Sequence, residues 1–454
     1  MDKVQRLLDP IHGLIVFRSN DPLGIDALAW QLLNTREFQR LRRIRQLGFS
    51  EFVFPCTTHT RYIHSIGVYH MARRLLSVVR RSLGSDFDPE KARVAGLAAL
   101  LHDIGHGPFS HTFETVEKKI GRKKDHEDWS AEIITGDTEV SSILKGENSK
   151  LAENIARILK AKFPENIYHS IVSSQFDADR MDYLLRDRYM AGIESGGFDL
   201  AWILDCLEVG KIMEPQEDGD PIEVDGLCIN HKGIGAAENY ILTRFQYYDQ
   251  VYFHKTTRGA EKMLGALLLR VSNLLKAGKV EETGIDSNHP VSRYFLQERP
   301  PIDLYLSLDD NVVWSSLGQF AQSSDPIVKS LAMRLLNRKL FKCADLSDLI
   351  TSGDAAVRIK PALKQFCDDK KLSMDFDVLQ DKVAFNGYGR QNIEDGGALK
   401  QIWVRSKPGE RLKKIDEHSK LVKAVLEEKE LYRVYVPDLD IKDGLTDYLK
   451  EAMK

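Results

Sequence analysis

The chain has 454 residues, 29% of them charged, and a formal net charge of -3. That is an ordinary globular composition with enough chain for a large core, and it gives no sign of a nucleic-acid partner. The five cysteines (Cys56, Cys206, Cys228, Cys343, Cys367) form no CxxC pair. This argues against a zinc ribbon or disulfide scaffold and for a reducing compartment. With no signal-peptide core and no apolar run of membrane-spanning length, a cytoplasmic protein with no membrane partner is expected.

In chain order, residues 1–25 read as turn and strand, with Asp9-Pro10-Ile11-His12-Gly13 as turn chemistry and Leu14-Ile15-Val16-Phe17 as a β-prone run. Helical periodicity then predicts helices near 26–47, 61–83, 89–103, 126–136, 150–162 and 175–190. Residues 207–230 change character and predict a small hairpin. Its Asp218-Gly219-Asp220 stretch lacks the spacing to a terminal Glu that a calcium loop needs. Helices resume over 234–278, 305–321 and 326–339, and after about 355 short strands (383–385, 402–404, 432–436) mix with helices. The expected fold is mostly α: a helical core with helical extension over 1–345, carrying the hairpin, then a smaller α/β lobe over 346–454.

The sharpest motif is His102-Asp103, which ends the apolar run Val94–Leu101 and is followed at once by Ile104-Gly105-His106-Gly107-Pro108-Phe109-Ser110-His111. Eight of the thirteen histidines lie in the first 126 residues, so the clustering needs a local cause. With His64 upstream and Asp179 downstream, two imidazoles and two carboxylates can hold one divalent metal and leave positions open for water and substrate. The two negative charges suit octahedral iron, manganese or nickel better than a closed zinc site. Glu114, three residues after His111, is placed to orient it. On a helix Asp179, Tyr183 and Asp187 share a face, whereas Asp182 and Arg186 read as a simple i,i+4 pair.

Three segments, Arg61–Val68, Leu101–His111 and Asp177–Tyr183, resemble the HD-domain phosphohydrolases, and more closely their deoxynucleoside triphosphate triphosphohydrolases. Asp9–Gly13, Phe38–Gly48 and Arg244 with Tyr252, His254 and Lys255 extend the likeness, which is strong over roughly 7–260 and continues to about 345. No SAM domain is expected before residue 9. The resemblance implies an HD-domain core that hydrolyses a dNTP to deoxynucleoside and triphosphate, with a transition metal on His64, His102, Asp103 and Asp179 and Mg as a candidate at the substrate phosphates. It implies that His106, His111 and His126 face the phosphate, with His111 the proton donor to the leaving 5′ oxygen. Arg180 and Arg244 would take the β- and γ-phosphates and Arg61 the α-phosphate. Tyr183 and Asp187, helped by Gln46 and Leu47, would hold the sugar 3′-hydroxyl, and the Tyr252 ring would exclude a 2′-hydroxyl. Two positions depart from the family pattern: Arg180 stands where lysine is usual, and Phe253 replaces a glutamine that helps contact the base.

The arginines at 36, 40, 42, 43 and 45 spread over several helix faces and read as a solvated or interface surface rather than a nucleic-acid patch. The resemblance implies a nucleotide effector site between subunits, and hence a homo-oligomer, dimer or tetramer. Gln39, Arg42 and Arg338 match that site, while Asn34 stands in place of its aspartate. Two alternatives stand beside this reading: an HD phosphohydrolase for another nucleotide or phosphate ester, and a nucleic-acid-binding or scaffold protein with a vestigial site.

Overall fold

A computed structural model describes residues 4–453 apart from 195, 215–219, 351–352, 389–396 and 408. The fold is mostly α, as the periodicity predicts. It opens on an antiparallel hairpin, β1 (Val4–Asp9) with β2 (Gly13–Arg18), closed by a turn in which Asp9 accepts from the Ile11 and His12 amides. The long helix Arg61–Leu83 and the helices Pro89–Leu101, His126–Thr135 and Leu151–Lys160 match their predicted spans within a few residues. The Pro89–Leu101 helix starts on an Asp88 cap with Pro89 at its first position. Its second half, Ala95–Leu101, is buried all round, so the chain must leave it at His102-Asp103, where polar side chains begin.

Three predicted helices are broken. The 26–47 span becomes Asp26–Leu33, Arg36–Arg40 and a 3₁₀ turn over Leu41–Arg43, because the Thr35 hydroxyl accepts from Phe38 N and restarts the helix. The 234–278 span breaks after Ile234–Tyr247 at a π-helical turn, Tyr248–Tyr252, and restarts as Lys255–Lys276 on a His254 cap. The 305–321 span is two helices, Ile302–Leu306 and Asp310–Phe320, the second capped by Asp309.

The predicted hairpin is present as β3 (Leu207–Glu214) with β4 (Ile222–Asn230); most of the Asp218-Gly219-Asp220 stretch lies outside the described residues. β4 also pairs in parallel with β7 (Trp403–Arg405), which pairs with β8 (Lys413–Lys414). A second sheet has the order β5 (Lys342–Asp345), β9 (Lys429–Val436), β6 (Leu379–Phe385). One core cluster joins the Arg61–Leu83 helix to Ile402, Val404, Ile415 and Val422, so the stretch around β7 returns to the helical core. The β5–β9–β6 sheet packs its own cluster against the helices Gly353–Lys370 and Leu439–Ala452.

Candidate active site

The helices Arg61–Leu83 and Ala178–Ala191 pack so closely at Gly67 that a Cβ there would lie 1.9 Å from Asp182 Oδ1. That approach brings His64 and Asp179 together. His64 Nε2 lies 3.0 Å from Asp179 Oδ1 and 3.7 Å from Asp103 Oδ2. His102 Nε2 lies 3.4 Å from Asp103 Oδ1 and 3.6 Å from Asp179 Oδ1. The four expected ligands thus share one spot.

The donor set fits a cation. His102 Nδ1 is bonded to the Ala99 carbonyl at 2.8 Å, which makes Nδ1 the N–H donor; its buried Nε2 has no hydrogen-bond partner and keeps a free lone pair. His64 Nδ1 is 2.8 Å from Asp182 Oδ2, so its Nε2 likewise faces the carboxylates. Burial opposes charge on His64, but Asp179, Asp182 and Asp103 outweigh it and push its pKa up to about 10. Burial also opposes the imidazolium of His102, where Asp103 and Asp179 raise it. Burial likewise opposes ionisation of Asp179, which the two imidazoles nevertheless hold below the usual carboxylate range. The site favours added positive charge, which a metal supplies by displacing protons.

Asp182 and Arg186 are not a surface pair. Both are buried, at 0% and 1% exposure. Arg186 bridges Asp182 and Asp9 at 2.8 Å, and Asp182 also meets His12 Nε2 at 2.6 Å. Asp9 and His12, from the first turn, therefore support His64 through Asp182. The turn motif was visible in the sequence, but its target was not.

These groups open onto a cavity of about 740 Å³ lined by Arg61, His106, His111, His126, Arg180 and Tyr183 among others. Phe109 and Ser110 have φ of 50° and 47°, a turn that presents His111 at the start of its helix. Gly105 lets the His126 helix approach: a Cβ there would sit 2.2 Å from the His126 carbonyl oxygen. Glu114 Oε2 lies 3.6 Å from His111 Nδ1 and 3.3 Å from His126 Nδ1, so it serves both histidines rather than His111 alone. Burial opposes charge on His126, but Glu114 and Glu127 raise its pKa. His106 stacks on His126 at 4.1 Å and meets Asp103 Oδ1 at 3.1 Å. Arg61 binds Asp103 Oδ2 at 2.5 Å and Ser110 Oγ at 2.9 Å. Arg180 pairs with Asp177 and the Ser174 carbonyl, and its Nε has no partner.

At the other end, Asp187 accepts from the Tyr252 hydroxyl at 2.6 Å and meets His59 Nε2 at 2.8 Å. Gln46, Leu47, Tyr183 and Tyr248 line the same region, and the buried Gln46 Oε1 has no partner. The π-helical turn aims both Tyr248 and Tyr252 at the cavity, a frequent use of such turns. His59 and Tyr248 were not singled out from the sequence.

Other expected residues lie elsewhere. Arg244 is 1% exposed and donates to Gln175 Oε1 and the Tyr388 carbonyl; it does not line the cavity. Asn34 lines a separate surface groove with Thr35, Arg36 and Glu139. Gln39 donates to the Leu33 carbonyl and accepts from Arg42 Nε, and the Arg42 guanidinium lies 3.6 Å from the Tyr62 ring centroid. Arg338 donates to the Phe52 carbonyl. One chain does not bring these four into one pocket. Of the arginine run, Arg36, Arg42 and Arg43 are exposed, as a solvated surface requires; Arg40 is the buried one, donating to the Leu308 and His106 carbonyls, and Arg43 and Arg45 pair with Asp309 and Glu51.

Fold and site together define a class: a helical hydrolase core with a His–Asp quartet, His64 and Asp103 buried and His102 and Asp179 partly open, that can hold a metal beside a cation-bearing cavity. The HD domain family matches residues 61–187, and the HD associated region matches 221–286. The chain is 37% identical over 340 residues to uncharacterized protein YwfO of Bacillus subtilis, covering 75% of this chain and 71% of that protein. It is 29% identical over 277 residues to the deoxynucleoside triphosphate triphosphohydrolase SAMHD1 homolog of Dictyostelium discoideum, covering 59% of this chain and 49% of that protein. A crystal structure of a phosphohydrolase from Bacteroides thetaiotaomicron superposes with a TM-score of 0.74 at 27% identity, covering 96% of this chain and 100% of that one. The chain belongs to the HD-domain phosphohydrolase family and is homologous to its dNTP triphosphohydrolase members. Among the described residues no helix is long and apolar enough to cross a membrane.

Proposed function

We propose that this chain hydrolyses deoxynucleoside triphosphates at the α-phosphorus, releasing deoxynucleoside and intact triphosphate. The observation that carries the reading is one cavity lined by His102, Asp103 and Asp179 of the quartet, by His111 and His126, and by Tyr183, Asp187 and Tyr252. His64, His102, Asp103 and Asp179 would hold the metal, which when bound polarises a phosphoryl oxygen and lowers the pKa of water. Arg61, fixed by Asp103 and Ser110, places a guanidinium beside the quartet for the α-phosphate. His111 reaches into the cavity with 65% of its side chain accessible. With Glu114 behind it, it is positioned to give a proton to the departing 5′ oxygen. Asp187 and Gln46 offer acceptors to the 3′-hydroxyl, and the Tyr252 ring, tethered by its bond to Asp187, fills the space beside them.

In the same reading Asn34 and Arg338 join the Gln39–Arg42 pair in one effector site only across copies, so nucleotide control goes with a homo-oligomer. The test is turnover of each dNTP, NTP and dNMP by Mn²⁺-supplemented protein, with Tyr252→Ala in parallel. We expect dNTPs to be cleaved, NTPs to be poor substrates, and Tyr252→Ala to narrow that difference by about tenfold or more. Equal turnover of dNTPs and NTPs by the natural chain rejects Tyr252 as the sugar filter.

A further inference from the structure

A triphosphate brings about four negative charges, and in this cavity most cations are already spoken for. Arg61 is paired with Asp103, Arg180 with Asp177, Lys160 with Asp128, and Arg258 with Asp381 and Glu261. Arg244, the expected partner of a distal phosphate, is turned inward to Gln175 and the Tyr388 carbonyl. Two cavity cations remain with no carboxylate partner among the described residues: Lys162 and Lys400. Both ammonium groups lie against the same ring, 5.0 Å and 5.5 Å from the centroid of Phe163.

We propose that Lys400, together with Lys162, is the clamp for the distal phosphates of the substrate, delivered to the cavity by the segment around β7.

Like charges brought together without a carboxylate partner repel one another, and an anionic ligand relieves that repulsion. Lys400 feels this: burial, then the charge of Arg180, lower its pKa, with Asp177 opposing and Lys162 adding to the fall. Its position is not that of a free surface lysine. The Ala398 and Leu399 amides of its turn donate to Glu214 Oε2 at 2.9 and 3.2 Å, Trp403 Nε1 donates to the Ala398 carbonyl at 2.8 Å, and Ala398 and Leu399 pack on Ile212. Glu214 and Ile212 belong to β3, so the β3–β4 hairpin acts as the bracket that seats Lys400. The clamp explains how a site with Arg244 withdrawn can still prefer three phosphates to one.

This inference rests on the triphosphate reading, and the experiment separates the two. Calorimetric titration of the full-length, Mn²⁺-loaded chain with inorganic triphosphate and with orthophosphate is compared for wild type, Lys400→Gln, Lys400→Arg and Lys162→Gln. KM and kcat for a dNTP are measured alongside. Lys400→Gln should weaken triphosphate binding about tenfold and raise KM by more than it lowers kcat. It should hardly change orthophosphate binding, metal content or melting temperature, and Lys400→Arg should restore affinity. Equal triphosphate affinity in wild type and Lys400→Gln, with dNTP turnover intact, overturns the clamp and leaves the reaction standing. Lys400-dependent triphosphate binding without turnover of any dNTP keeps the clamp and overturns the deoxynucleoside reading. A wild type that does not bind triphosphate removes the clamp outright.

Discussion

His64 shows how one side chain is made single-purpose. Its Nδ1 is held by Asp182, itself held by Arg186 and His12, so Nε2 is the nitrogen that faces Asp103 and Asp179. A carboxylate behind a ligating histidine fixes its tautomer and raises its basicity. Asp182→Asn should therefore weaken metal affinity about 10- to 100-fold in chelator competition. It should also destabilise the chain, because Arg186 is left buried beside a neutral partner. Unchanged metal affinity would reduce Asp182 to packing. At this scale the sequence was informative about residue type and uninformative about depth. Asp179, Tyr183 and Asp187 were legible as one helix face because helix periodicity is local. Asp182 and Arg186 read as a simple i,i+4 pair because their partners Asp9 and His12 are about 170 positions away. Nothing in a single sequence says which turn lies against which helix.

At the scale of elements, the site exists because two helices approach more closely than side chains permit. Gly67 makes room for Asp182 and Arg186, whose atoms lie 1.9 Å and 2.4 Å from where a Cβ would stand. Gly67→Ala should lower stability by about 2 kcal/mol or more. Gly265, inside the Lys255–Lys276 helix, is its control: a Cβ there meets Thr112 Cγ2 at an ordinary 3.8 Å. Gly265→Ala should raise stability by about 0.5–1 kcal/mol. Denaturation midpoints of the two variants check the contrast, and a neutral Gly67→Ala would mean that the helices can part. Helices with strong caps or long apolar runs were readable to within a few residues. The breaks at Thr35, His254 and Asp309 were not, because a side-chain cap inside a helical pattern looks like an ordinary polar position. The π-helical turn that aims Tyr248 and Tyr252 leaves no periodic trace at all.

At the scale of the whole molecule, the long helix Lys255–Lys276 is fastened to β6 by Arg258 and Lys262, whose side chains meet the 1%-exposed Asp381. Burial opposes ionisation of Asp381, but Arg258 and Lys262 outweigh it and lower its pKa from 3.8 to about 2. A depressed carboxylate stabilises the fold above its unfolded pKa, and that contribution is lost as pH falls from about 4 through about 2. Asp381→Asn should therefore cost about 2 kcal/mol at neutral pH and flatten the acid limb of the stability curve between pH 4 and 2. An unchanged acid limb would show that the pair contributes nothing to folding. Beyond residue 345 the sequence offered strand and helix patterns but no site residue, since a strand does not announce its neighbour. β7 returns to β4 and carries Lys400 with it, a pairing across 175 positions. The central claim, hydrolysis at the α-phosphorus in the HD cavity, is tested most directly by turnover of a dNTP in ¹⁸O-labelled water with mass analysis of the products. The account predicts deoxynucleoside with an unlabelled 5′-hydroxyl and inorganic triphosphate carrying one ¹⁸O. Label in the deoxynucleoside, or release of pyrophosphate or orthophosphate in place of triphosphate, would contradict it.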